Sequence, residues 1–583
     1  MRLLKRSIGS HTALGMSVGA LAAVCGLLAF APVAQAAVWT AHTGTRVFPT
    51  TKPGTQHVAN LTAAGGEYEG LIIGLRSGAK RRAKVTWVAG SDPLLTANGA
   101  LDQVAFVHIR RPTTGTGAKA GLYPDPLLPR GFGQAFSVPA GSSSLYVVFH
   151  VPYGTPAGIY SGNLHVANGT QGVVIAVRLQ VWSFGWQKLS VKTAFMVNFN
   201  VLGSLAPATY AMLEQHGVTP LMPKAAPHVA ANGAIDAAAY ANELRPYLDA
   251  DGLDMSIARL PWLSWCPGFS WKFKAGNATL VNYLTNVLRV YQENGWQDKA
   301  VAFPVDEPTS TAGEKRVQAL AVTLHKASAR LGFRAKFLLT DDPRPTNLGP
   351  LLPANKYLWN DVDIWATRYY YFFGRVPVLR KLQAKGVQVW WYPYFNSTVA
   401  KLPNFVIDKT TADERVWGWL MYQWHVDGMM YWGVNRWGNA LTGTGHRDPY
   451  TNPLSFEYPD GRVANGEASL IYPGYYPRYG LHSKHATPVS SLRLEALRDG
   501  FQDREYLELA TRLCGAKFVS SVVKSITTYP YKVAYGHTFR FPKYVTSPAA
   551  FDAARVKLAK AIEQAMSSQA TTGDAGSGQG SGS

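Results

Sequence analysis

The segment Phe303-Pro304-Val305-Asp306-Glu307-Pro308 sets two consecutive carboxylates after an apolar run and before a proline. Cleaving a glycosidic bond takes one protonated acid beside the leaving oxygen and one negative group near the anomeric carbon. Neighbouring carboxylates suit that division. Each raises the proton affinity of the other, and a partly apolar pocket adds to the effect. The same doublet would also suit a helix start, where acidic residues are favoured, or pairing with Lys315 or Arg316. Where the doublet falls in the fold tips the balance towards chemistry.

From Leu189 onward, strand and helix patterns alternate. Eight strand candidates are legible: 192–200, 218–223, 254–261, 300–307, 334–340, 363–370, 387–395 and 428–437. Amphipathic stretches separate most of them, the link between the fifth and sixth being weakest. Eight such units predict a (β/α)8 TIM barrel over 188–514, with its active site at the C-terminal ends of the strands. Asp306 and Glu307 close the fourth strand. The other strand ends supply the substrate-binding candidates: Asn198, Arg259, Trp262, Tyr370, Trp391, Tyr392, Tyr394, Trp432 and Asn435. Successive strand residues face opposite ways, so about half of these rings must pack under helices. Asp341, Asp342 and Asp363 are rival acids, the first two also reading as a turn before Pro343.

Residues 37–187 carry short alternating β runs without a helical period and predict an antiparallel β-sandwich. Residues 515–567 read as a small C-terminal appendage with a helix starting at Ser547-Pro548. The Gly/Ser/Ala-rich tail, 568–583, is expected to be disordered. Residues 1–36 read as a signal peptide: Arg2, Lys5 and Arg6, an apolar run from Ala13 to Phe30, then Ala34-Gln35-Ala36 for cleavage. The expectation is a secreted or periplasmic protein with no membrane span after cleavage. Losing three basic residues would lower the formal charge from +21 to +18. No nucleic-acid recognition motif accompanies that charge, so an acidic polysaccharide or cell surface fits it better, beside plain solubility. Cys266 and Cys514 are expected to be unpaired. His446, His482 and His485 lack metal-ligand spacing, and no phosphate loop, dinucleotide fingerprint or serine elbow occurs, so no metal or cofactor is expected.

The chain resembles glycoside hydrolase family 123 and its wider clan. The likeness rests on Gly66-Glu67-Tyr68-Glu69-Gly70, Tyr123-Pro124-Asp125-Pro126-Leu127 and Pro156-to-Gly162 in the sandwich. In the barrel it rests on Asp306-Glu307-Pro308, Asp363-Ile364-Trp365 and Gly428 to Trp437. Tyr472-Pro473-Gly474, followed by Ser491-Leu492-Arg493-Leu494-Glu495-Ala496-Leu497-Arg498-Asp499-Gly500, is its most specific part. The resemblance implies a retaining β-N-acetylhexosaminidase of galactosamine type, working by substrate assistance. Asp306 would orient the 2-acetamido group and Glu307 would be the general acid and base. The charges of the 493–500 motif are expected to brace the fold, with Arg498 and Asp499 fixing the neighbouring insertion. Two other readings stand beside this one. The first is a glycosidase on a sugar lacking the acetamide, pairing Glu307 with another carboxylate. The second is a non-catalytic carbohydrate-binding surface protein.

Overall fold

The computed structural model describes residues 37–261, 275–345, 354–394, 402–483, 486–535 and 537–576. Trp262, Trp265, Cys266 and His485 lie outside the described residues, as does the segment read as a signal.

Ten strands build the N-terminal sandwich: β1 (Ala37–His42), β2 (Val58–Gly65), β3 (Tyr68–Ser77), β4 (Arg81–Trp87), β5 (Gly99–Ile109), β6 (Gly121–Arg130), β7 (Ala135–Val138), β8 (Gly141–His150), β9 (Gly158–Asn168) and β10 (Gln171–Gly185). They form two sheets, β1-β3-β8-β5-β6 and β2-β10-β9-β4-β7. All pairings are antiparallel except β2 with β10, which run parallel. Exposed and buried residues alternate along β9, as in a strand with one face in the core. Ile73, Val147, Leu164 and Val177, drawn from both sheets, are all buried in the core between them.

Seven parallel strands follow: β11 (Lys192–Phe195), β12 (Ala258–Arg259), β13 (Ala300–Ala302), β14 (Lys336–Leu339), β15 (Ile364–Arg368), β16 (Gln388–Tyr392) and β17 (Gly428–Tyr431). Their order is β11-β17-β16-β15-β14-β13-β12. Residues 219–221 supply the eighth rung. The Phe195 amide donates to the Thr219 carbonyl at 2.9 Å, Leu221 donates to Phe195 at 2.8 Å, and Arg259 donates to Leu221 at 2.8 Å. Those three bonds join the two edge strands and close the barrel.

Side-chain alternation sorts the barrel residues. Ala366, Trp390, Tyr392 and Met430 pack inside with Val301 and Leu338, whereas Trp365, Trp391, Met429 and Tyr431 pack outward with the helices. Helix starts follow the usual chemistry: Asn277, Ser310 and Ser491 each accept a first-turn amide from helices Ala278–Glu293, Thr311–Ala329 and Leu492–Cys514.

Helix Leu492–Cys514 ties the domains together. Arg493 is fully buried and pairs with Asp125 of β6 at 2.9 Å. It also donates to the Gly466 and Ser469 carbonyls at 2.9 and 2.6 Å. The insertion after β17 is therefore held by Arg493, and not by Arg498 and Asp499 as the motif suggests. Arg498 faces the sandwich, donating to the Tyr146 hydroxyl at 3.3 Å and lying 4.6 Å from the Tyr68 ring. Gly500 is where helix Ala412–Gln423 crosses: a Cβ on Gly418 would lie 1.7 Å from the Gly500 carbonyl oxygen.

The C-terminal part has helix Ala516–Ile526, a hairpin (Thr527–Tyr535 with His537–Tyr544) and helix Pro548–Gly576. The tail expected to be disordered from Ser568 instead prolongs that last helix through Gly576. Ser567 and Ser568 hydroxyls donate to the Glu563 and Gln564 carbonyls at 2.9 Å, which gives these polar residues a helical role. Among the described residues no helix is long and apolar enough to cross a membrane.

Candidate active site

The chain leaves β13 through Phe303 and Pro304, and Glu307 then takes φ of 40°. Left-handed backbone is uncommon for a residue with a Cβ and costs of order 1 kcal/mol. Here it breaks the alternation that would send Asp306 and Glu307 to opposite faces. Thr340, just past β14, joins the two. It accepts from the Glu307 amide at 3.0 Å and donates to Asp306 Oδ1 at 2.6 Å. Both carboxylates act on the Tyr392 hydroxyl inside the barrel, whose pKa is raised by burial and then by Asp306 and Glu307.

Asp306 is exposed and Glu307 half-buried. Burial lifts the Glu307 pKa above the ordinary carboxyl value, the Arg368 cation opposes the rise, and Asp306 and Asp341 add to it. A carboxyl whose proton affinity is raised in this way is better suited to serve as a general acid. Arg259 lies 4.9 Å from the Phe303 ring, and burial lowers its pKa to about 10 against the pull of Asp306. It is the cation of the Asp306 side. On the Glu307 side, Arg368 sits 3.6 Å from Asp341 and 4.0 Å from Asp342.

Arg368 leads to a pH prediction. Its charge favours the ionised form of Glu307, so Arg368→Gln should raise the Glu307 pKa. The protonated acid then survives to higher pH. The alkaline limb of kcat/KM should move up by about one pH unit. A limb that stays in place or moves down would remove Arg368 from this role.

The other candidates divide. Tyr392 lies inside the barrel beside the doublet. The Tyr370 and Tyr394 hydroxyls share a 2.7 Å hydrogen bond beside Arg368. Trp432 faces inward and donates to Glu467 Oε1 at 2.8 Å. Trp391, expected as a sugar platform, is fully buried on the outer side between Tyr369, Phe372 and Trp417. The strand's alternation, with Trp390 and Tyr392 inside, turns it away from the cavity. Asn435 is also buried and spent on structure. It accepts from the Asn198 amide at 2.8 Å and donates to the Asn198 carbonyl at 3.0 Å, clasping the eighth strand end to the first. The Asn198 side chain is exposed.

Of the rival acids, Asp363 precedes β15 and lies at the opposite end of the barrel. It bonds His325 at 2.8 Å, Arg334 at 2.6 Å and the Phe337 amide at 2.8 Å. Asp341 is buried against Arg344, which also pairs with Glu314. Asp342 is buried beside it, and burial raises its pKa to about 7, with Arg368 opposing. Thr340 and Glu467 were missed in the sequence. Thr340 ends a strand one residue before Asp341-Asp342, a position that could have flagged it. Glu467 lies in the aperiodic insertion and carries no such signal. Among the described residues no group of three His, Cys, Asp or Glu side chains converges as metal ligands.

Comparison with known families bears on this geometry. Residues 272–510 match the model described as Glycoside hydrolase 123, catalytic domain. The chain carries a glycoside hydrolase 123 catalytic domain. The match includes Asp306, Glu307, Thr340, Arg368, Tyr392 and Glu467, so the mouth of the barrel lies within the hydrolase domain. A family 123 glycoside hydrolase from Clostridium perfringens, solved in work on glycolipid glycan hydrolysis, is similar in fold. It superposes with a TM-score of 0.64 at 12% identity, covering 92% of this chain and 100% of that one. The hydrolase thus shares a sandwich-plus-barrel architecture with that enzyme. The spore cortex-lytic enzyme SleL of Bacillus cereus is a remote likeness, with a TM-score of 0.25 at 13% identity over 45% of this chain and 75% of that one. Comparison with curated proteins finds no match.

Proposed function

We propose that this glycoside hydrolase is a retaining β-N-acetylhexosaminidase preferring galactosamine-type sugars, exported from the cell that makes it. In the first step the substrate's acetamido oxygen attacks the anomeric carbon, while Glu307 protonates the departing glycosidic oxygen. Asp306 orients the acetamide and balances the positive charge of the oxazolinium that forms. In the second step Glu307 takes a proton from water, which opens the oxazolinium on the face the leaving group occupied. Two inversions give net retention, and no protein nucleophile is consumed.

The observation that supports this reading is a pair of consecutive acidic residues held at one turn by the Thr340 hydroxyl, which donates to the Asp306 carboxylate and accepts from the Glu307 backbone amide. One stays exposed and the other is half-buried with a raised pKa. Those are the environments an acetamide-orienting anion and a general acid require. Arg259 on one side and Arg368 on the other differentiate them further.

A panel of matched aryl glycosides tests the proposal, with galactosamine, N-acetylgalactosamine, N-acetylglucosamine and galactose at the reacting position. Glycolipid glycans, the substrate named for the Clostridium perfringens protein, belong in the same panel. Turnover should require the 2-acetamido group and favour the galacto configuration. Efficient cleavage of the plain galactoside would eliminate substrate assistance and point to Glu307 working with a different carboxylate.

A further inference from the structure

The two sandwich sheets end in the edge strands β6 and β7. Between these edges lies a groove of 760 Å³, with Arg478, Tyr479 and Gly480 of the barrel insertion among its lining. Four cations line it, Lys80, Arg82, Arg130 and Arg478, and no carboxylate does. Elsewhere four buried arginines pair with carboxylates, Arg415 with Asp503, Arg493 with Asp125, Arg498 with Glu495 and Arg555 with Glu67, while buried Arg447 donates to backbone carbonyls. Among the described residues none of the four groove cations makes a salt bridge. Positive charge has been gathered here without an ion-pair partner in the lining.

The groove is also built. Gln103 donates to the Ser137 carbonyl at 2.7 Å, which bridges the two sheets at its floor. Gln103 Oε1 accepts from Arg130 Nε and Nη2 at 3.1 and 3.0 Å, and Arg130 Nη2 donates to the Tyr479 carbonyl at 2.8 Å. Burial lowers the Arg130 pKa, with Asp102 opposing, as befits a cation held partly out of water. The Tyr479 hydroxyl donates to the Phe106 backbone carbonyl at 3.1 Å, which fixes the tyrosine ring in a groove that Phe106 also lines. Both rings are half-buried and line the groove, with Leu122, 44% exposed, near them. Flat apolar faces flanked by oriented guanidinium groups match a sugar chain bearing anionic groups. The rings receive the CH faces, and the arginines pair with carboxylate or sulfate oxygens. The volume lies within the range of about 300–1,000 Å³ typical of small-ligand sites, room for a few sugar residues.

We propose that this groove is a second carbohydrate site, separate from the barrel mouth, that holds the enzyme on an acidic polysaccharide. A nucleic acid would use the same charge. The hydrolase domain on the same chain and the paucity of stacking rings favour the sugar polymer. The inference does not rest on the acetamide reading of the active site.

The test uses the full chain carrying Glu307→Gln, so that bound polymer is not cut. Binding is measured to polygalacturonate, chondroitin sulfate, neutral dextran and single-stranded DNA at several salt concentrations. Both acidic polysaccharides should bind, dextran should not, and affinity should fall as salt rises. Adding Arg82→Glu with Arg478→Glu should weaken binding about tenfold or more. Adding Lys557→Glu with Lys560→Glu, an equal charge change on the exposed face of the last helix, should change it little. In the Glu307 background, both double variants should hydrolyse a small aryl glycoside as the parent does. Equal losses from the two double variants, no binding of either acidic polysaccharide, or tighter binding of DNA than of both would each overturn the proposal.

Discussion

Glu307→Gln is expected to lower kcat on an unactivated glycoside by about 10²–10⁴-fold, the usual worth of a positioned general acid and base, while glycan affinity changes little. The amide keeps the size and most of the hydrogen-bonding capacity of the carboxyl, so the loss should fall on proton transfer. The contrast between the two carboxylates sharpens the expectation. Glu307→Ala should recover much of its first-step rate on an aryl glycoside whose leaving group departs unaided. Asp306→Ala should recover far less, because stabilising the acetamide is needed whatever the leaving group. Equal recovery would contradict the division of roles. Wild-type protein that binds glycan without cleaving it would favour a binding protein over an enzyme.

The second large effect concerns stability. Arg555 comes from the last helix and is 1% exposed. It pairs with Glu67 at 2.8 Å and with Glu69, and lies 3.8 Å from Asp503. Glu67 also accepts from the Tyr506 hydroxyl at 2.6 Å. Arg555→Leu should cost about 3–5 kcal/mol, since removing one partner strands buried carboxylates whose desolvation was being offset. The denaturant midpoint should drop clearly. Combining it with Glu67→Gln and Glu69→Gln should return part of the loss, because neutral amides need no counter-charge. A cost below about 1 kcal/mol would mean that water or rearrangement satisfies these acids, and that the last helix is not a structural brace.

Parts of this arrangement could be read from residue order, and parts could not, for definite reasons. The succession of strand and helix patterns identifies the barrel, and the doublet announces itself by following an apolar run. Strand lengths are overestimated because apolar residues continue past the ladder. The fourth strand pairs only over Ala300–Ala302 before Pro304 and the turn at Glu307 end it. The third is reduced to Ala258–Arg259. In Trp390-Trp391-Tyr392 the alternation is legible and its phase is not, since all three residues are equally apolar. Only the packing of Trp391 against Tyr369 and Trp417 settles the direction. Glu467 was hidden for another reason. It reaches Trp432 from an insertion whose path is set by Arg493 taking carbonyls from distant loops, and no local pattern encodes such a contact. The motif residues Glu67, Asp125 and Gly500 were noticed as a likeness, and the structure supplies their physics: counter-ions for buried arginines and a close helix crossing.

The turn at Glu307 carries a cost for the protein's history. A glycine there would relax the backbone and would be preferred wherever survival of heat or denaturant were the sole criterion. If Glu307 has the proposed catalytic role, selection for robustness alone would remove activity first at that position, whereas selection for turnover would retain the acidic side chain.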